Sequence, residues 1–227
     1  MKKIILGSSA IPFSESVFHY TGLEPVTLPF SKRISDSVKG HADSLVFFKD
    51  GALITFDDYY LENRALFDSL KIPIITTNEY YSDTYPYDIL FNAIEINGAV
   101  IGRSENISAL IKEGKSEIRV PQGYARCSTL LANMGCAVTA DLKLSRALSN
   151  LSVDTLLIRS GHIILEGYEY GFIGGASFVF ENTVFFFGRI EDHPDYSLIK
   201  AHLEKHGYTL SSLSDAPLTD CGGAIII

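Results

Sequence analysis

The sequence has 227 residues, with 19 Lys and Arg against 27 Asp and Glu, a net charge of −8. That length fits one large domain or two small ones and is ample for a sizeable core. The acidic balance argues against a nucleic-acid or anionic-membrane surface, since both favour basic patches.

The chain opens with Lys2-Lys3 and a short apolar run, residues 4–6, and polar residues return at Ser8 and Ser9. This predicts a first strand over 3–6 rather than a signal peptide, which needs a longer apolar stretch and a small-residue cleavage site. A short helix near 14–20 and a strand near 25–28 follow. No apolar run reaches the roughly 18 residues of a membrane-spanning helix.

Four segments then repeat one plan. In the first repeat, residues 43–49 are apolar and β-prone, and Asp50-Gly51 marks a tight hairpin turn. Residues 52–56 return as a second strand, Asp57 or Asp58 caps a helix through Ser69, and residues 72–76 form a third strand. The second repeat runs 89–96, Asn97-Gly98, 99–102, a helix from Ser104 or Glu105 to about Lys112, and a strand over 117–120. The third runs 127–132, a turn at 133–135, 136–139, a helix capped by Asp141, and a strand over 155–158. An insertion over 160–170 holds another short strand, residues 162–165. The fourth repeat runs 177–180, Glu181-Asn182, 183–187, and a helix over 195–206 ended by Gly207, which suits a left-handed cap.

The turns recur at a spacing of about 40 residues, which marks arrays and rings. The first segment of the chain lacks its first strand, and residues 224–227 supply an orphan one. Pairing that strand beside residues 3–6 completes a fifth unit and hides otherwise open edges. The expectation is an α/β ring of about five strand–turn–strand–helix–strand units, a single domain over 1–227. An open mixed sheet is the alternative.

Three cysteines, Cys127, Cys136 and Cys221, make an odd count with no CxxC pair. This suits a reducing compartment, and with the absent leader it predicts a cytoplasmic protein. In a ring, residues just ahead of each inner strand converge on the axis. They are His41 and Asp43; Tyr87 and Asp88; Tyr124, Arg126 and Cys127; Ser177; and Asp220 and Cys221. A convergent polar cluster of this kind is a candidate binding site. Asp43, Asp88 and Asp220 suit a cationic or amine-bearing ligand, and also fit turns before strands. Arg126 pairs with them or clamps a carboxylate. Tyr124 and Ser177 complete the ligand set. His41 is a candidate proton carrier or a hydrogen-bonded loop histidine. Cys127 and Cys221 are candidate nucleophiles or buried small hydrophobes, and Cys136 reads as core. His202 and His206 lack the H-E-x-x-H pattern, so no metal site is expected, and no motif calls for a cofactor.

The five-unit plan resembles the pentein fold, the superfamily of guanidino-group modifying enzymes. These include arginine deiminase, amidinotransferase, dimethylargininase and agmatine deiminase. The local text resembles more closely an uncharacterised bacterial branch assigned to that fold. The resembling segments are His41-Ala42-Asp43, residues 122–128, Gly167-Tyr168, residues 171–177, and Asp220-Cys221-Gly222-Gly223. Active members share a His-x-Asp at the start of the fourth repeat, where this chain reads Gly174-Gly175-Ala176-Ser177. They also carry a nucleophilic Cys a few residues after a C-terminal Gly-Gly, where this chain reads Ala224-Ile225-Ile226-Ile227. The resemblance therefore implies the fold without the usual Cys-His chemistry. The expected function is binding of a small polar ligand, amine- or guanidine-bearing, at the ring axis. A divergent hydrolase or amidinotransferase using Cys127 or Cys221, and a partner-binding or structural module, are the alternatives. Oligomeric state is not legible.

Overall fold

A computed structural model describes residues 2–227. Its strands form five separate three-stranded sheets. In each, an inner strand pairs antiparallel with a middle strand, which pairs parallel with an outer one. A tight turn suffices for the antiparallel step, whereas the parallel step needs a crossover long enough to hold a helix. That requirement is why one strand order recurs throughout.

The terminal unit closes as expected: Lys3–Gly7 lies between Glu24–Leu28 and the last strand, Ala224–Ile226, with Ile4 opposite Ile226 and Leu6 opposite Ala224. The four repeats follow. They are Val46–Lys49, Ala52–Phe56 and Ile74–Thr77; Ile94–Ile96, Ala99–Gly102 and Ser116–Arg119; Thr129–Asn133, Cys136–Thr139 and Asp154–Leu157; and Ser177–Phe180, Thr183–Phe186 and Thr209–Ser212. Phe48, Glu95, Leu131, Val179 and Ile226, one residue from each inner strand, line a single central cavity. The five sheets therefore surround a common axis, and the ring of five ββαβ units is the architecture observed.

Local chemistry explains the elements. Asp50 and Gly51 both take positive φ, 50° and 80°, as a type I′ turn requires. The Asp141 carboxylate accepts from Lys143 N at 2.7 Å and Leu144 N at 2.9 Å, capping helix Leu142–Asn150. The apolar layer packs closely: Phe56 stacks on Tyr81 at 3.6 Å and on Phe91 at 4.4 Å. Burial of each such ring contributes about 1.5–3 kcal/mol.

Several boundaries differ from expectation. The helix after the first hairpin begins at Asp57 itself and breaks at Asn63, giving Asp57–Glu62 and Arg64–Ser69. At the break the Asn63 side chain donates to Tyr59 O at 2.9 Å, competing with the regular ladder. The helix expected after the second hairpin becomes a 3₁₀ turn, Ser104–Asn106, and one α-turn, Ala109–Lys112, capped by Ser108. Residues 162–165 form no strand; Ile164 makes only an isolated bridge to Thr219. The outer strand Thr209–Ser212 was not expected, because its Ser-rich text carries little hydrophobic signal.

The largest difference bears on function. Three inner strands start later than their apolar runs, at Val46, Ile94 and Thr129. The preceding residues turn instead: Ala42–Leu45 is one helical turn, Asn92 N bonds Ile89 O at 2.8 Å, and Ser128 N bonds Tyr124 O at 2.8 Å. These turns fold polar side chains back across the axis. No helix among the described residues is long and apolar enough to cross a membrane.

Candidate functional site

His41 stands just before the helical turn Ala42–Leu45, and Asp43 lies within it. Arg126 and Cys127 lie in the turn ahead of Thr129, and Asp220 lies ahead of the last strand. The ring brings them together. Cys127 Sγ is 3.2 Å from Asp220 Oδ2 and 3.3 Å from Oδ1. His41 Nδ1 is 3.7 Å from Asp220 Oδ1 and 4.0 Å from Asp43 Oδ1. The side chains of His41, Asp43, Cys127 and Asp220 are all buried, none more than 3% exposed.

Backbone groups fix this cluster. Asp220 accepts from Phe172 N at 2.9 Å and from Gly222 N at 3.0 Å. Cys127 N donates to Asn92 Oδ1 at 3.0 Å, and Gly175 N donates to Cys127 O at 2.8 Å. A Cβ on Gly175 would overlap both Asp220 and Cys127, and one on Gly222 would overlap His41. The glycines of these segments thus allow close approach of backbone to charged side chains. A strand, Ser177–Phe180, follows residues 171–175, so no helix N-terminus opens there.

Two spaces flank the cluster. On one side the central cavity, about 370 Å³, carries Asp43, Glu95, Arg126 and Ser177 on its wall. On the other a smaller pocket, about 70 Å³, is lined by Tyr124, Tyr168, Tyr170 and Phe172 together with Cys127 and Asp220. Arg126 reaches Ala224 O at 3.4 Å, and among the described residues no carboxylate lies within 4.0 Å of its guanidinium. Burial holds its pKa below the usual guanidinium value, against the pull of Asp43.

Burial also raises the Asp43 carboxyl above the usual range, and His41 and Arg126 oppose the shift. The Cys127 thiol is pushed well up by burial, with the Asp220 and Asp43 carboxylates adding to it. Carboxylates this close disfavour the thiolate form.

The remaining expected residues divide. Asp88 accepts from Tyr124 OH at 2.5 Å; Tyr124 lines the aromatic pocket, and neither residue lines the central cavity. Burial raises the Asp88 pKa, and burial together with Asp88 raises that of Tyr124. Ser177 lines the cavity, but its hydroxyl donates to Ile173 O at 2.7 Å. Tyr87 is exposed. Cys221 is fully buried in an apolar cluster with Ile4, Leu6 and Phe178, and burial raises its thiol pKa. It points to the core, apart from the His41 cluster.

Sequence reasoning did not single out Asn92, Glu95, Tyr170 or Phe172. Glu95 had a usable signal, a lone charge between Ile94 and Ile96 on an inner strand. The others are set by how turns cross the axis and had none. Two groups place potential metal donors within 4.8 Å of one another: His41, Asp43 and Cys127, and Cys136, His202 and His206. In the second group the polar atoms are already engaged. His202 Nε2 meets Ala137 O at 3.1 Å, and His206 Nε2 meets Asp154 Oδ2 at 2.9 Å.

The sequence model of DUF6873, described as a family of unknown function, matches residues 12–225. No curated protein matches the sequence. Solved structures do resemble it. A dimethylarginine dimethylaminohydrolase (DDAH) mutant from Pseudomonas aeruginosa, complexed with citrulline, aligns with a TM-score of 0.56 at 12% identity, covering 100% of both chains. SxtG, an amidinotransferase from Microseira wollei in the saxitoxin biosynthetic pathway, aligns with a TM-score of 0.58 at 10% identity, covering 99% of this chain and 94% of the other. A C. jejuni agmatine deiminase mutant with substrate bound aligns with a TM-score of 0.57 at 9% identity, covering 99% and 93%. At these identities the likeness shows the fold, which is the pentein ring.

Proposed function

The chain belongs to the DUF6873 family, and on that premise we propose that it binds a small polar ligand bearing an amine or guanidine group in the axial cavity. The carrying observation is a pair of opposite charges on one cavity wall, Asp43 and Arg126, with no ion pair within 4.0 Å between them. Asp43 faces the cationic group, and Arg126 faces a carboxylate on the same ligand, which its fork geometry suits. The citrulline bound in the Pseudomonas aeruginosa DDAH mutant agrees with this chemistry as fold-level analogy only.

In this reading the standard thiolate chemistry is absent. Nucleophilic attack needs a thiolate, and burial together with the carboxylates beside Cys127 disfavours it. A second reading, a divergent guanidino-modifying hydrolase, rests on the contact between Cys127, Asp220 and His41, and it assigns Cys127 rather than Cys221 as nucleophile. Three unpaired cysteines fit a cytoplasmic setting for either.

Thermal melting with arginine, agmatine, citrulline and simple amines, in the presence of a chelator, tests the proposal. Stabilisation should grow with ligand concentration, as mass action requires. Arginine should exceed agmatine, which lacks the carboxylate. A flat response across the panel overturns the reading.

A further inference from the structure

His41, Asp43 and Cys127 meet in the wall between the two spaces, and the meeting point lacks an occupant's worth of contacts. His41 Nδ1 and Asp43 Oδ1 face each other at 4.0 Å, beyond hydrogen-bond range. Neither atom has a hydrogen-bond partner among the described residues, although both side chains are at least nine-tenths buried. Buried polar atoms in native proteins are almost always paired, with protein, water or an ion.

The donor set says which occupant fits. It combines an imidazole nitrogen, a carboxylate oxygen and a thiol sulfur, each within 4.8 Å of the others. An ammonium or guanidinium group would use the carboxylate and leave the sulfur idle. A borderline-soft divalent ion uses all three. Asp220 stays outside the set, since both its oxygens already accept from backbone N–H groups of Phe172 and Gly222.

We propose that His41, Asp43 and Cys127 form a site for one divalent transition-metal ion of the zinc class at the ring axis. Three protein donors leave a fourth position, and Asp43 on the cavity wall directs it toward the axial cavity. On binding, the Cys127 S–H bond, with its hydrogen bonds to Asp220, is replaced by a sulfur–metal bond, and the thiol proton is lost to solvent, so each ion bound releases one proton. The site goes beyond the ligand reading but shares Asp43 with it, so a bound ion and a cationic ligand group exclude one another there; Arg126 takes no part in the ion site, which is tested with no organic ligand present.

The test titrates the chelator-stripped full chain with zinc and with cobalt(II). One ion per chain in equilibrium dialysis is expected, with a near-ultraviolet thiolate-to-cobalt charge-transfer band. His41→Gln and Cys127→Ser should each weaken binding about tenfold or more. Cys136→Ser should keep both the ion and the band. The proposal is overturned if the unmodified chain binds no ion or shows no band. It is equally overturned if Cys136→Ser loses the band, which places the ion at Cys136, His202 and His206 instead. Should Cys127→Ser fail to fold, X-ray absorption of zinc-loaded Cys136→Ser decides: one sulfur ligand supports the axial site, and none removes it.

Discussion

Cys127 and Asp220, 93 positions apart in the chain, meet at 3.2 Å on the ring axis, where the thiol donates to a carboxylate already held by two backbone N–H groups. Burial raises the Cys127 thiol pKa and this contact adds to the shift, which disfavours the thiolate that the hydrolase reading needs.

Thiol labelling follows from this. All three cysteines are buried and unpaired, and each thiol is raised by burial. Iodoacetamide at neutral pH should therefore label the native protein slowly at every site. Rapid, selective labelling of Cys127, slowed by a cationic ligand, would instead establish the hydrolase reading.

Arg126 and Asp43 should have separable effects on ligand binding. Arg126→Ala should weaken arginine by about tenfold or more, as loss of a charge-assisted hydrogen bond does, and leave agmatine nearly unchanged. Asp43→Asn should weaken both. Melting shifts across a concentration series read the difference. Equal weakening of arginine and agmatine by Arg126→Ala would remove its role as carboxylate clamp.

Two glycine substitutions separate crowding from backbone strain. Gly175→Ala places a methyl group against Asp220 and Cys127, so it should destabilise by about 1–3 kcal/mol and perturb the site. Gly51→Ala meets open space, but sits at φ 80° and should cost about 1–2 kcal/mol from the left-handed backbone alone. Urea unfolding measures both, and only the first should also reduce ligand binding.

Asp154 supplies a pH dependence remote from the axis. Hydrogen bonds from Lys205 and His206 hold its pKa at about 2, below the ordinary 3.8. Its charge therefore stabilises the fold above the ordinary value, and that stability is lost as pH falls from 3.8 through 2. The carboxylate is 43% exposed, so solvent screens the pair and the effect is small. Asp154→Asn should lower the urea midpoint slightly at neutral pH and match the parent chain below pH 2. A difference that persists in acid would assign the loss to packing.

The candidate site was only partly legible. The residues ahead of each inner strand were identifiable once the repeat was seen, and His41, Asp43, Arg126, Cys127 and Asp220 do converge. Cys221 came from the same logic, yet it points into the core with Ile4 and Phe178. Neighbouring residues on an extended segment face opposite ways, and no local pattern tells which side is the axis. Asp88 was equally plausible, but Tyr124 OH claims one of its oxygens.

The sequence by itself determined the repeat and favoured its closure over an open sheet. Asp50-Gly51 and Asn97-Gly98 impose turns through positive φ, and an apolar strand near each chain end suits the mutual pairing that the structure shows. These are local demands, written in adjacent residues. Tertiary structure alone decided where the inner strands begin, that Asp57–Glu62 and Arg64–Ser69 are separate helices, and which charges stay unpaired. Those outcomes depend on turns from different repeats crossing one crowded axis. There a distance of 3.2 Å or 4.0 Å settles whether a thiol has a partner and a carboxylate lacks one, and no pattern along the chain encodes that distance.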